Sequence, residues 1–480
     1  MDATTLEAST ALRAYEDLPG PRGLPLLGHA LQIESSRFHQ QLEQWAERYG
    51  PLYRLRLGPR RLLVVGAHEP VAAVLRDRPA GFRRTTKLEA IWVELGLPIG
   101  VFGAHGETWE RQRRMVMAGF DPAHVRRYFP AMQQVAARLA GRWRPAAAAG
   151  QAIELQADLM RYTVDTIAGL AFGAPVNTLE SDADVIQRHL DKLFPAVFQR
   201  VLAPLPLWRW LPRQSDRELQ ASIAEVLAAV QGFIAAARAR LAAEPARRAR
   251  PDNLLEAMLV AADAPDSGID DAQVAGNVLT MLLAGEDTTA NTLAWMLYLL
   301  WQHPAALARA RAEVDAVIGD GEAGPITQEQ LARLDFVEAC AHETMRLKPV
   351  APVLPLQALH ETRIGDVKVP TGTVVICLLR RDSVSEAHVE RAAEFLPERW
   401  LAGSAAPAHA VKRMSMPFGA GQRICPGRYL ALLEIKLAMA TLLSRFEILG
   451  VDTPDGGPAQ ERLAFTMAPW GLRMRLRERG

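Results

Sequence analysis

Between Ala131 and Leu300 the apolar residues recur at helical spacing in a background of Ala, Leu, Arg and Glu. The pattern is interrupted at "RPAAAAGQ", "APLPLWRWLPR" and "AADAPDSGIDD". It predicts a mostly helical body. Alternation of period two is confined to the flanks. In "PLYRLRLGPRRLLVVGAHEP" it predicts a hairpin joined at Gly58-Pro59, and it returns in "TRIGDVKVPTGTVVICLL" and "RLAFTMAPWGLRMRLR". Before the hairpin, "QLEQWAERYG" reads as a helix closed by Gly50, preceded by a proline- and glycine-rich lead-in, "DLPGPRGLPLLGH". The fold class is mainly α with a minor β component at both ends of the chain, without internal repeats. A tail over 1–18 and a single domain over 19–480 follow.

One apolar run exceeds the others. From Asp271 to His303 it spans roughly 50 Å at ~1.5 Å per residue. Asn277, Glu286, Asp287 and Asn291 interrupt it, which argues against a bilayer span and for a long helix through the centre of the protein. Its polar residues must be satisfied or used.

Composition then narrows the function classes. With 49% hydrophobic and 23% charged residues, the 480-residue chain can bury a sizeable core. Lys and Arg total 55 against 54 Asp and Glu, so no global field calls for nucleic acid. The three cysteines, Cys340, Cys377 and Cys425, are odd in number and contain no C-x-x-C spacing, which fits a reducing, intracellular setting. "MDATTLEASTALRAYED" has no basic start leading into an apolar run, so the expectation is a soluble, cytoplasmic protein without a membrane span.

Five stretches carry candidate chemistry. In "AGEDTT", Ala284 and Gly285 permit close approach to the helix, and Thr288 is placed to bond the Ala284 carbonyl. Asp287 either meets a basic partner or works with Thr288 in passing protons to a ligand. In "HETMR", Glu343 and Arg346 lie one turn apart on a helix read as opened by the capping box Thr327-x-x-Gln330; "FLPERW" offers Arg399 to the same network. Trp109 and Arg113 in "ETWERQRRM" share a helix face, suited to an indole covering an arginine stem or to a clamp for an anion. Finally, "PFGAGQRICPG" confines Cys425 among Gly419, Gly421, Gly427 and Pro426, ahead of a helix whose first amides favour a thiolate able to bind a soft metal, shielded by Phe418.

These residues resemble the cytochrome P-450 superfamily, the heme-thiolate monooxygenases. F-x-x-G-x-R-x-C-x-G is matched at Phe418, Gly421, Arg423, Cys425 and Gly427. The central-helix motif matches Ala284, Gly285, Asp287 and Thr288; E-x-x-R matches Glu343 and Arg346; the P-E-R loop matches Pro397, Glu398 and Arg399; W-x-x-x-R matches Trp109 and Arg113. The resemblance implies a long central helix over the heme and a small β-sheet region near the N-terminus. It makes Cys425 the axial thiolate of heme b (iron protoporphyrin IX), Asp287 and Thr288 the proton-delivery pair, and Trp109, Arg113 and Arg423 the propionate residues. Ala284, Phe418, Gly419 and Gly427 also contact the cofactor. Glu343, Arg346 and Arg399 become a structural network.

The resemblance further implies a pocket from Val101, Phe102, Leu283, Ala284, Val353, Leu354, Phe465 and Met467, with "LFPAVFQRVLAPLPLWRW" as lid and entrance, for a lipophilic small molecule oxidised with O2. Many relatives place a propionate arginine where this chain has Leu356 or Gln357. A soluble bacterial type is expected. With no flavin or iron–sulfur segment after Gly480, electrons are expected from a separate ferredoxin or flavodoxin and an NAD(P)H-dependent reductase, docking on Arg111, Arg114, Lys412, Arg413 and Arg428. A peroxygenase and a heme-binding carrier are the rival readings.

Overall fold

The computed structural model describes residues 12–173, 176–181, 186–319, 324–403 and 408–479. Most of the expected tail, residues 1–11, lies outside them. From Arg13 the lead-in is attached: Arg13–Ala14 pairs with Val367–Lys368, the Tyr15 hydroxyl donates to the Leu55 carbonyl at 2.8 Å, and Leu18 is buried.

The central helix runs without a break over Asp271–Gln302. Asp270 caps it reciprocally: its carboxylate accepts from the Gln273 amide at 2.7 Å, while the Gln273 side chain accepts from the Asp270 amide. Leu155–Phe172 is its main packing partner, and a Cβ on Gly285 would stand 3.1 Å from Ile167. Gly285 is thus small because a second helix crosses there. Asn277 is satisfied within the core: its side chain accepts from the Val101 amide at 2.9 Å and donates to Gln112. Gly100 and Gly276 make that loop contact possible, since a Cβ on Gly100 would fall 2.2 Å from the Gly276 carbonyl.

Helices make up the body, as the periodicity predicts, with two local differences. Pro122–Ala148 continues through Pro130 and Pro145, so the interruption predicted at "RPAAAAGQ" arrives only at Ala149; burial of Trp143 and Ala147 overrides the hydrogen bond lost at Pro145. The Thr327–Gln330 capping box is formed, but it opens the short helix Gln328–Ala332. The helix carrying Glu343 starts afresh as Asp335–Leu347, its first amides held by the Glu313 carboxylate at 2.7 and 2.9 Å.

One five-stranded sheet, in the order Leu52–Leu57, Arg60–Val65, Val374–Leu378, Val353–Ala358 and Phe82–Arg83, joins both ends of the chain. Leu62 to Val65 run parallel to Val374 to Cys377. The strand Val353–Ala358 lies in a segment that reads only as proline-rich. Pro355 is tolerated because Phe82–Arg83 pairs only with Gln357 and Ala358, leaving the flank beside Pro355 without a ladder.

Among the described residues one helix, Gln214–Ala243, is long and apolar enough to cross a bilayer; the central helix is not among such spans. Alanine supplies much of its apolarity, and a single stripe including Leu219, Ile223, Val226, Val230 and Ile234 is buried.

Candidate active site

Cys425 sits where the loop enters the helix Arg428–Arg445. Its amide donates to the Phe418 carbonyl at 2.9 Å, closing the loop on itself. Gly419 and Gly421 have φ of +74° and +71°, and a Cβ on Gly421 would lie 2.8 Å from the Arg76 backbone. Gly427 differs: its φ is −82°, and a Cβ there would make ordinary contacts with Phe120 and the Cys425 sulfur. Burial pushes the Cys425 thiol up, against the amides of Gly427 and Arg428 and the charges of Arg113 and Arg428, which pull it down. Without a metal, burial thus works against the thiolate that the helix start favours. A bound metal has to displace the proton.

Above this loop the predicted anion residues meet. The Arg423 guanidinium lies 4.5 Å from the Trp109 ring centroid and donates to the Ala104 carbonyl; Arg113 donates to the Ile424 carbonyl at 2.8 Å. Two arginines that the sequence reading missed join them. Burial lowers Arg78 to about 10 and Arg423 to about 9, and holds Arg84 well below the usual arginine range, with Arg78 and Arg423 repelling Arg84 further. Nε of all three lacks a hydrogen-bond partner, and no carboxylate among the described residues pairs with them. Cations that are buried (Arg78) or half-buried (Arg84, Arg423) and lack a counter-charge call for an anionic ligand. The sequence signal was "GFRRTT", but composition cannot tell that Arg83 pairs with Glu89 whereas Arg84 turns inward over the Phe102 ring, 3.9 Å from its centroid. Leu356 is buried in the sheet core, and Gln357 bonds the Thr86 amide and the Gly372 carbonyl. Neither reaches this cluster.

From Val274 to Leu300, Ala284 is the one exposed residue of the central helix, and Asp287 and Thr288 beside it are half-exposed. An opening at the middle of a buried helix is a cleft. The Thr288 hydroxyl donates to the Ala284 carbonyl at 2.7 Å. Among the described residues Asp287 meets no base. It accepts from Asn291 at 2.7 Å and, in a short contact, from the Thr466 hydroxyl, while Asn291 accepts from Gln156 at 3.1 Å. Burial pushes the Asp287 carboxyl up, opposed by these two hydrogen bonds.

The cytochrome P450 family model matches residues 18–473. The chain belongs to the cytochrome P450 family. Among curated proteins it is 30% identical over 457 residues to "Self-sufficient cytochrome P450 monooxygenase CYP505AG1" of Oidiodendron maius, covering 91% of this chain and 40% of that protein. It is 27% identical to "Protein LUTEIN DEFICIENT 5, chloroplastic" of Arabidopsis thaliana, covering 87% of this chain and 71% of the other. The solved heme domain of cytochrome P450DA superposes with a TM-score of 0.82 at 25% identity, covering 98% of this chain and 99% of that one. The chain spans about 40% of the length of the fungal relatives it matches.

Heme-thiolate ligation, the property of cytochrome P450s, fits the residues present: a soft sulfur donor at Cys425 and buried guanidiniums suited to carboxylates. The E-x-x-R pair is scaffold in this cytochrome P450. Glu343 takes both Arg346 and Arg399 and accepts from the Trp400 indole at 2.8 Å, a fourth member not anticipated.

The pocket segments divide. Phe102 and Phe465 approach to 6.0 Å, and Phe465 stacks at 4.4 Å on Phe194 of the helix Ile186–Leu202, within the segment expected to form the lid. Val101 packs half-buried on the main core. Val353 and Leu354 point to opposite faces of their strand, onto the main and sheet cores respectively. Leu283 and Met467 are buried away from the cleft: Leu283 is only 2% exposed, and the Met467 sulfur lies 3.9 Å from Arg380 Nη1. Helical and strand periodicity turn both to the core side.

Proposed function

We propose that this cytochrome P450 is a monooxygenase that inserts one oxygen atom of O2 into a lipophilic small molecule, by hydroxylation or epoxidation, with heme b held through Cys425. The observation that carries the reading is Asp287 and Thr288 beside Ala284, the one exposed residue of the central helix between Val274 and Leu300. Bound heme with a thiolate ligand supplies reductive activation of dioxygen. The polypeptide supplies protons and exclusion of water. Because the Thr288 hydroxyl donates to Ala284, its lone pairs are left to accept from a ligand in the cleft. Asp287, whose proton is retained to higher pH than in an ordinary carboxyl, serves as the acid behind it. Arg78, Arg84 and Arg423, with Trp109, hold the propionates, and Arg113 steadies the Cys425 loop through Ile424. Phe102, Phe465 and Phe194 give the cleft an apolar wall suited to a lipophilic substrate.

Electrons arrive from an NAD(P)H-driven donor at the face of the Cys425 loop, where Arg114, Lys412, Arg413 and Arg428 are exposed and favour an acidic partner. Arg111 contributes less, lying half-buried near Glu107. A separate ferredoxin or flavodoxin fits this face. So does a reductase of the kind named in a fungal relative, "Bifunctional cytochrome P450/NADPH--P450 reductase". Reconstitution with each donor in turn identifies the one that supports turnover.

The optical spectrum of the reduced protein with carbon monoxide tests the reading. A strongly red-shifted main band is expected in the wild type and is lost in Cys425→His; an imidazole-type band in the wild type overturns it. Thr288→Ala is expected to divert electrons to peroxide at unchanged heme content. Full heme loading without substrate oxidation by any donor favours a heme carrier instead.

A further inference from the structure

Phe465 and Thr466 are neighbours in the turn between strands Glu461–Leu463 and Met467–Pro469, and they face different partners. Phe465 has a φ of +96°, a conformation costly for a residue with a Cβ, and the turn is held by the Ala464 amide donating to the Thr466 carbonyl at 2.9 Å together with side-chain contacts. On one side the Phe465 ring lies on Phe194 of the helix Ile186–Leu202 with only 4° between the ring planes. On the other, the Thr466 hydroxyl donates to the Asp287 carboxyl. Beyond the turn, Met467 is pinned: its amide donates to the Val350 carbonyl at 2.7 Å, and its carbonyl accepts from the Trp295 indole. Phe465 and Thr466 thus link the helix Ile186–Leu202 to Asp287, while Met467 anchors the far end of the turn.

We propose that Thr466 is a positioning residue for Asp287, and that the Phe194–Phe465 stack makes its hold depend on the lid. With the rings stacked, the Asp287 carboxyl is turned back onto Thr466 and Asn291. A substrate that parts the rings shifts Thr466 and breaks its hydrogen bond to Asp287. The carboxyl is then free to turn toward Thr288 and exchange its proton there. Proton delivery is thereby withheld until the pocket is filled. This rests on the monooxygenase reading.

Two readouts test it. The first is infrared and needs no turnover: the carboxyl band assigned by its loss in Asp287→Asn is expected to shift in Thr466→Val and to keep its wild-type position in Thr466→Ser. The second is the consumption of reducing equivalents without substrate. It is expected to rise several-fold in Thr466→Val and in Phe194→Ala, with the double variant no worse than either single one, because both cut the same linkage. Heme content and melting temperature are recorded for each variant, so that loss of fold is not read as loss of coupling. An unshifted band in Thr466→Val, or effects of Phe194→Ala and Thr466→Val that simply add, would overturn the proposal. A band shift in a protein that turns over nothing would uphold the Thr466–Asp287 contact and overturn the monooxygenase reading instead.

Discussion

Arg346 grips Glu343 with two parallel hydrogen bonds of 2.7 and 2.8 Å, and neither side chain is exposed at all. The same guanidinium donates to the carbonyls of Ser383, Ala392 and Glu394, so one cation ties the helix Asp335–Leu347 to a long irregular segment. Removing one member strands the others in the core. Glu343→Gln is expected to cost about 3–5 kcal/mol. Arg346→Lys should cost nearly as much, because an ammonium cannot reproduce the planar fork. Denaturant unfolding of the heme-loaded protein measures both; a loss under about 1 kcal/mol for either would contradict a single interlocked network.

Arg84 offers a prediction with two opposite signs. Its guanidinium lies among Arg78 and Arg423 without a carboxylate partner, so the polypeptide alone is destabilised by it. Arg84→Met should raise the melting temperature of the heme-free protein and weaken heme retention by about tenfold or more, the loss expected where a charge-assisted hydrogen bond is removed. Thermal scans of the apoprotein and heme transfer to apomyoglobin read the two effects separately. Loss of both stabilities would place Arg84 in the scaffold.

The Asp287 carboxyl is held above the ordinary 3.8 by burial, so the folded state keeps a proton that the unfolded chain gives up. Its stabilising effect is complete below the ordinary value and is lost as pH rises through the folded one. Asp287→Asn should therefore gain stability relative to wild type as pH is raised from about 4 to about 7. Paired urea titrations at the two pH values decide it, and a gain in the reverse direction would mean that Asp287 is held as the anion.

Glu461 has the opposite sign. Burial works to raise it, but hydrogen bonds from His39 and Arg380 at 2.7 Å and the charge of Lys348 hold it far below the ordinary 4.5. Its contribution is present above that value and disappears as pH falls below it. Glu461→Gln should cost about 3 kcal/mol at neutral pH and progressively less in acid. An equal cost at every pH would show that charge is not what Glu461 supplies.

How much was legible beforehand follows from the range of each interaction. Helical periodicity and the hairpin at Gly58-Pro59 depend on residues a few positions apart, and these local signals were correct. The pairs Glu343–Arg346 and Thr288–Ala284 lie within single helical turns, so spacing alone placed them face to face; Trp109 and Arg113 share a helix but meet Arg423 and the Ile424 carbonyl instead. Assigning the capping box to the wrong helix, by contrast, came from reading two short helices as one; the Glu313 carboxylate that separates them is remote in sequence.

The sequence by itself determined the loop around Cys425, the midpoint of the central helix and the charges available to the site, because each is written in consecutive residues. Tertiary structure decided their partners. It closed one sheet from strands more than three hundred residues apart, turned Arg84 rather than Arg83 inward, buried Met467 and Leu283, and gave Asp287 two neutral hydrogen-bond donors in place of a base. The physical reason is that burial and long-range hydrogen bonding depend on which surfaces meet, and local pattern carries almost no information about that.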